Sequence, residues 1–193
     1  MVNKFYTTLL TYFCSMRKLS NADLRRKSIQ EFKNSVKFPI IIILENIRSA
    51  YNVGSVFRTA DAFLVEAIYI IGYSAKPPHK EIKKTALGAE ETVEWKYFNT
   101  TAEAIVELKK SGYHIFAAEQ AEGSYLLHEM EAEPDEKIAI IFGNEVSGVE
   151  QTSIDMCNGC IEIPQLGMKH SLNIATAAGV VLWELVRGRL LKC

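Results

Sequence analysis

The sequence has no apolar run long enough to cross a bilayer, so no membrane partner is expected. It also lacks the cysteine framework of a small secreted domain. Its four cysteines, Cys14, Cys157, Cys160 and Cys193, show no stapling pattern. A reducing compartment, the cytoplasm, is therefore expected. Cys157-x-x-Cys160 is half of a zinc motif, but no second pair exists and the four histidines are scattered, so no metal is expected. There is no GxGxxG turn and no GxxxxGK[S/T] loop, which removes support for a dinucleotide or nucleoside triphosphate site. Internal repeats and low-complexity linkers are missing too. A formal net charge of −1 argues against a protein that coats nucleic acid by charge alone, while leaving room for a local basic patch.

What is present suits one domain with a small extension: 193 residues, 48% of them hydrophobic, enough for a sizeable core. Residues 1–37 read as an N-terminal extension and 38–193 as the main domain. In residues 1–15, Lys4 precedes a weakly apolar stretch, but threonines dilute it and no small-residue cleavage site follows. Met16-Arg17-Lys18 would make a natural start, so residues 1–15 are expected to play no part in the fold. Residues 17–37 hold seven Lys and Arg against Asp23 and Glu31. Ser20 or Asn21 is positioned to cap a basic helix whose thin apolar stripe is Leu24, Ile29 and Phe32. That helix reads equally as a solvated element packed lightly on the body or as a contact for RNA phosphates through Arg25, Arg26 and Lys27.

From Pro39 the chain alternates strand and helix. PIIIILE is a β-branched run suited to a central strand buried on both faces. Asn52 is placed to cap a helix through Phe63. Strands are expected at Glu66–Ile71, Thr92–Phe98, Tyr113–Ala118, Ile138–Phe142 and Ile161–Ile163. Lys76-Pro77-Pro78-His79-Lys80 reads as a loop. Thr100-x-x-Glu103 reads as a capping box for a helix to about Ser111, with Gly112 as the stop. Residues 119–136 carry seven acids and no Lys or Arg, which makes them an exposed loop distant from any RNA backbone unless Glu119 turns inward. The pattern implies an α/β fold with a mainly parallel sheet flanked by helices.

Three blocks carry candidate chemistry. Asn52-x-Gly54-x-x-x-Arg58 opens the first long helix, and its spacing lets Asn52 and Arg58 approach one face. Arg58 sits among apolar and small residues, where an unpaired cation is costly. Its acceptor is read either as Glu45, Asp61 or Glu145, or as a substrate phosphate or oxyanion. Gly143-Asn144-Glu145 follows a strand directly, and Gly143 either admits a ligand close to the backbone or supplies a positive φ. Ser171-Leu172-Asn173 opens the last helix, with Ser171 as its natural cap. The small residues Ala175–Gly179 of that helix suit close packing within the core or against a second subunit.

Together, Asn52-Val-Gly-Ser-Val-Phe-Arg58-Thr-Ala60, Ile140-Ile-Phe-Gly143-Asn144-Glu145-x-x-Gly148, and Ile163-Pro164 with Ser171-Leu172-Asn173 resemble the SpoU/TrmH branch of the SPOUT RNA methyltransferases. The resemblance covers about residues 38–187. Leu64 departs from it, because relatives often carry glycine after the first helix. The resemblance implies a C-terminal trefoil knot within the α/β domain, a homodimer, S-adenosylmethionine as cofactor, and methyl transfer to a ribose 2′-oxygen of RNA. Transfer RNA is favoured over ribosomal RNA because no large separate RNA-binding domain is present. It further implies cofactor contacts around Ala118, Gly143, Ile163, Ser171 and Leu172, and a catalytic set of Asn52, Arg58, Glu145, Ser171 and Asn173. A base-methylating enzyme of this fold, or a non-catalytic RNA-binding protein, is the alternative.

Overall fold

A computed structural model describes residues 16–191 except Asn21 and Arg25. The expectations for residues 1–15 and Arg25, and those for Cys14 and Cys193, lie outside the described residues. Seven strands form one sheet: β1 (Phe38–Glu45), β2 (Val65–Ile71), β3 (Glu94–Phe98), β4 (His114–Ala118), β5 (Tyr125–Leu126), β6 (Ile138–Phe142) and β7 (Gly159–Glu162). Their order is β3-β2-β1-β6-β4-β7-β5, and each neighbouring pair is parallel.

The isoleucine run of β1 is buried on both faces because both faces carry helices. Ile40, Ile42 and Leu44 pack into one cluster with Val53, Val56 and Phe57 of α2 (Ala50–Ala62), and with Val181, Leu182 and Leu185 of α7 (Ile174–Leu190). Ile41 and Ile43 face the other way, onto Ala104, Ile105 and Leu108 of α5 (Thr101–Lys110). Shorter helices are α1 (Ile29–Asn34), α3 (Lys80–Ala86), α4 (Ala89–Thr92) and α6 (Gln151–Ile154).

Several boundaries move from where the sequence puts them. The basic helix does not begin at Ser20, and the expectation for Asn21 lies outside the described residues. Ser28 caps α1 in a full capping box with Glu31, and Phe32 anchors it in the core. Glu31 competes better because its carboxylate returns to the Ser28 amide at 2.7 Å. Ser49, not Asn52, caps α2, accepting from the Asn52 amide at 3.3 Å. At α5 the Thr100 hydroxyl accepts from Glu103 N at 3.3 Å, but the Glu103 carboxylate takes the amide of Asn99 instead of that of Thr100, so half of the expected box forms. Strand β3 starts at Glu94, since Thr92 closes α4. The proline loop does exist, yet α3 follows it at once. Leu64, where relatives often carry glycine, has φ of 51°, a left-handed conformation that L side chains adopt at a cost.

Candidate functional site

The strand order changes direction beside β1. Sequential strands β1 to β3 run outward on one side, and β6 lies between β1 and β4 on the other. Ligands of parallel α/β sheets gather beyond the carboxyl ends of strands at such a point. A cavity of about 700 Å³ opens there, past the ends of β4, β6 and β7. Its wall includes Ala118, Gly143, Ile163, Ser171 and Leu172, the five residues for which the resemblance implied cofactor contacts.

The loop after β6 closes on itself. Asn144 N donates to Gly148 O at 3.0 Å, and Gly148 N returns to Asn144 O at 2.9 Å. The Asn144 side chain accepts from Val146 N and Ser147 N at 2.8 and 3.1 Å, and its Nδ2 donates to Asn46 O at 2.8 Å and to the Tyr73 hydroxyl at 2.7 Å. A Cβ on Gly143 would lie 2.2 Å from the Gly148 carbonyl carbon. The glycine is therefore required by this loop crossing its own backbone, and its φ is not positive. Gly148 does have φ of +71°, and a Cβ there would strike Glu119 Oε2. Glu119 itself accepts from Val149 N at 3.0 Å and lines the cavity, so the acidic segment does turn one member inward. Beneath, the buried Glu45 accepts from Glu150 N at 2.9 Å and from the Thr101 and Ser153 hydroxyls.

Glu145 reaches across to the opening turn of α2. Its carboxylate accepts from Arg48 N at 2.8 Å, Ser49 N at 3.1 Å and Asn52 Nδ2 at 2.9 Å. Partial burial pushes its pKa up, but these donors outweigh it and hold the group below its ordinary value. Asn52 in turn accepts from Asn173 Nδ2 at 3.1 Å. Asn173, not Ser171, caps α7, through Ala175 N at 2.9 Å. A short amide can turn back on its own helix and still donate outward, which a serine hydroxyl at position 171 does not do here. One chain of hydrogen bonds thus joins Glu145, Asn52 and Asn173, one from each sequence block.

Arg58 is outside that chain. It is exposed, has no hydrogen-bond or ion-pair partner among the described residues, and does not line the cavity. The expected carboxylates are engaged elsewhere: Glu45 below the loop, Asp61 by the Thr92 hydroxyl at 2.8 Å, and Glu145 at α2. Arg58 lies six residues beyond Asn52, about 9 Å along the helix axis. Arg26 and Lys27 are exposed and stand apart from the cavity wall, and Lys27 Nζ donates to Ser35 Oγ at 2.6 Å. Burial raises the Cys157 thiol to about 12, so it is no nucleophile at neutral pH. Among the described residues, no group of three or more His, Cys, Asp or Glu is placed to hold a metal, and no helix is long and apolar enough to cross a membrane.

Sequence reasoning missed Glu45, Asn46 and Tyr73 as parts of the site. Glu45 ends β1, Asn46 follows it, and Tyr73 lies two residues past β2, and closeness to the end of a buried strand is the one signal that pointed to them.

Residues 39–183 match the model of the SpoU rRNA Methylase family. The chain is 32% identical to a 23S rRNA (guanosine-2′-O-)-methyltransferase of Neisseria meningitidis, over 80% of this chain and 60% of that protein. It is 30% identical to a tRNA (guanosine(18)-2′-O)-methyltransferase of Thermus thermophilus, over 91% of this chain and 87% of that one. It therefore spans less than two thirds of the first relative and most of the second. Among solved structures, a TrmH/SpoU tRNA modifying enzyme of A. aeolicus superposes with a TM-score of 0.75 at 24% identity, covering 85% of this chain and 82% of that one. An AdoMet-bound rRNA methyltransferase from Sinorhizobium meliloti gives 0.71 at 26% identity, covering 77% and 56%.

Proposed function

The chain belongs to the SpoU rRNA methylase family, and from that premise we propose that it transfers a methyl group from S-adenosylmethionine to a ribose 2′-oxygen of RNA, with tRNA as the substrate. The hydrogen-bond chain Glu145–Asn52–Asn173 carries this reading, because it draws all three sequence blocks to the mouth of one cavity. Transfer RNA is favoured by the extent of the alignment within this chain: the tRNA-modifying relative matches 91% of it and the rRNA-modifying one 80%. Ribosomal RNA is the second reading, favoured by the family's description and the higher identity of that relative.

The cavity fits the cofactor in size and lining. Ile161, Ile163 and Ile174 offer apolar surface for an adenine, while Gln120, Ser171 and the Glu119 carboxylate offer polar partners for the remainder. When bound, S-adenosylmethionine supplies an electrophilic methyl group. The chain's own residues position the ribose, since orientation alone can supply on the order of 7–11 kcal/mol of barrier reduction. Glu145 is a brace: a carboxylate of lowered pKa with both oxygens engaged is a poor base. Ser171 lines the cavity with no protein partner among the described residues and orients the hydroxyl or a water that takes its proton. Arg58 remains protonated and is also no base. It grips a substrate phosphate and offsets charge developing on the oxygen, with Arg25, Arg26 and Lys27 as further phosphate contacts.

The trefoil knot, the homodimer and a cytoplasmic location belong to the same proposal. The dimer is supported by the half-exposed Trp183 and Val180 on α7.

The test supplies purified protein and methyl-labelled cofactor to total tRNA and rRNA and maps the modified nucleotide. Label on a tRNA ribose is the expected result. Label on a base removes the ribose assignment, and label in neither pool removes the activity. Arg58→Lys should lose most turnover, and near-full turnover would end the bidentate-clamp role.

A further inference from the structure

Tyr73 follows β2 after a single residue, Gly72, and is 65% exposed. Exposed loop tyrosines normally swing freely, but this one is pinned. Its hydroxyl accepts from Asn144 Nδ2 at 2.7 Å, and its amide donates to Asn46 Oδ1 at 3.4 Å. Asn144 belongs to the cavity wall, so the ring is fixed at the rim of the site. Among the described residues the phenol's own proton has no acceptor. Next along the same sheet edge stands Tyr97, near the end of β3. Its hydroxyl donates to Gly72 O at 3.1 Å, and Lys76 Nζ sits 3.5 Å from its ring centroid. Strands β3, β2, β1 and β6 are consecutive neighbours, so the strip from Tyr97 through Tyr73 to Asn144 spans about 14 Å, three strand spacings. Lys80, Lys83 and Lys84 are exposed on α3, which follows the loop bearing Lys76. The acid bonded into this neighbourhood, Glu150, is engaged by Asn46 Nδ2 at 2.9 Å.

Fixed aromatic faces beside exposed cations are the chemistry that holds unpaired bases and their phosphates. We propose that Tyr73, backed by Lys76 and Tyr97, is a stacking platform for single-stranded RNA. It holds an unpaired base next to the nucleotide whose ribose enters the cavity. Lys76 then meets the backbone on the outward side. The inference rests on the RNA part of the proposed function and is independent of methyl transfer. A surface reading duplex shape would carry cations without pinned, exposed rings.

Binding of a fluorescein-labelled oligoadenylate about ten nucleotides long is compared with that of a blunt RNA duplex of equal length. Tyr73→Ala should weaken single-strand binding about tenfold, and Tyr73→Trp should restore it. Tyr73→Phe keeps the ring and loses the Asn144 contact, so it should fall between them. Duplex binding should change less than about twofold, because paired bases offer no free face. A circular-dichroism spectrum and thermal midpoint close to those of the wild type show that Tyr73→Ala still folds. Equal single-strand affinity in wild type and Tyr73→Ala overturns the platform, as do equal losses on both RNAs or no single-strand binding by wild type. Methylation of total tRNA by the wild type is measured alongside. Tyr73-dependent binding without label incorporation removes methyl transfer and keeps the platform, and incorporation without Tyr73-dependent binding does the reverse.

Discussion

Two loops wall the cavity, and they are built in opposite ways. The loop at residues 143–149 closes with paired backbone bonds, is tied inward by Asn144, and rests on the carboxylates of Glu45 and Glu119. The loop at residues 164–172 has one hydrogen bond holding it among the described residues, from Gln120 Nε2 to His170 O at 3.0 Å. Its Leu166 is 100% exposed and its Met168 84%. One wall is complete without a ligand, and the other leaves its apolar side chains in water. The difference assigns a fixed shape to the first wall and leaves the second few bonds to break if it adapts.

The comparison breaks most sharply from below. Glu45→Ala should leave two buried hydroxyls and the Glu150 amide without their acceptor, costing about 3 kcal/mol in denaturant unfolding. Gly143→Ala should cost about 2 kcal/mol and weaken calorimetric cofactor affinity at least tenfold, because a side chain there cannot share space with Gly148 backbone. Wild-type cofactor affinity in that variant would mean that the near wall is not rigid. Glu145→Gln should cost about 1 kcal/mol, typical of a lost helix cap. Its pH dependence has a definite sign. A carboxyl whose folded pKa is lowered contributes stability that is full above its ordinary value of about 4.5 and fades as pH falls through the lowered folded value. The gap between wild type and Glu145→Gln should therefore be widest at neutral pH and shrink below about pH 4.5, read from thermal midpoints. Smallest of all, Leu166→Ser should move stability by less than about 0.5 kcal/mol. Amide exchange in residues 164–172 should nevertheless slow when cofactor is added, while residues 143–149 are protected from the start.

Much of the frame was legible in the sequence. The isoleucine run, the β6 run and the strand–helix alternation placed the sheet, because buried parallel strands have a composition that few other elements share. The three polar blocks were legible as candidates, and the structure gathers Asn52, Glu145 and Asn173. Cap positions were less so. Asn52 for Ser49 and Ser171 for Asn173 are misplacements of two or three residues, and the side chains of Asn52 and Asn173 turned out to serve a tertiary bond to each other. Arg58 was read as a cation in apolar surroundings, but its helix turns it outward, and periodicity alone did not say which face met the core. Helix α3 was hidden by its four charged residues and the prolines before it. Glu45 was named only as an acceptor for Arg58, because an acid at a strand end gives no sign that three donors will converge on it from residues 101, 150 and 153.

The bond from Asn173 to Asn52 joins positions 121 apart in sequence, and Glu145 meets Asn52 over 93. During synthesis, the first long helix leaves the ribosome well before either of these residues does. Until they arrive, the amides of Arg48 and Ser49 lack the carboxylate that later receives them. A nascent chain interrupted before residue 145 would carry most of the sheet and none of these bonds, and the full set closes only once residue 173 has emerged.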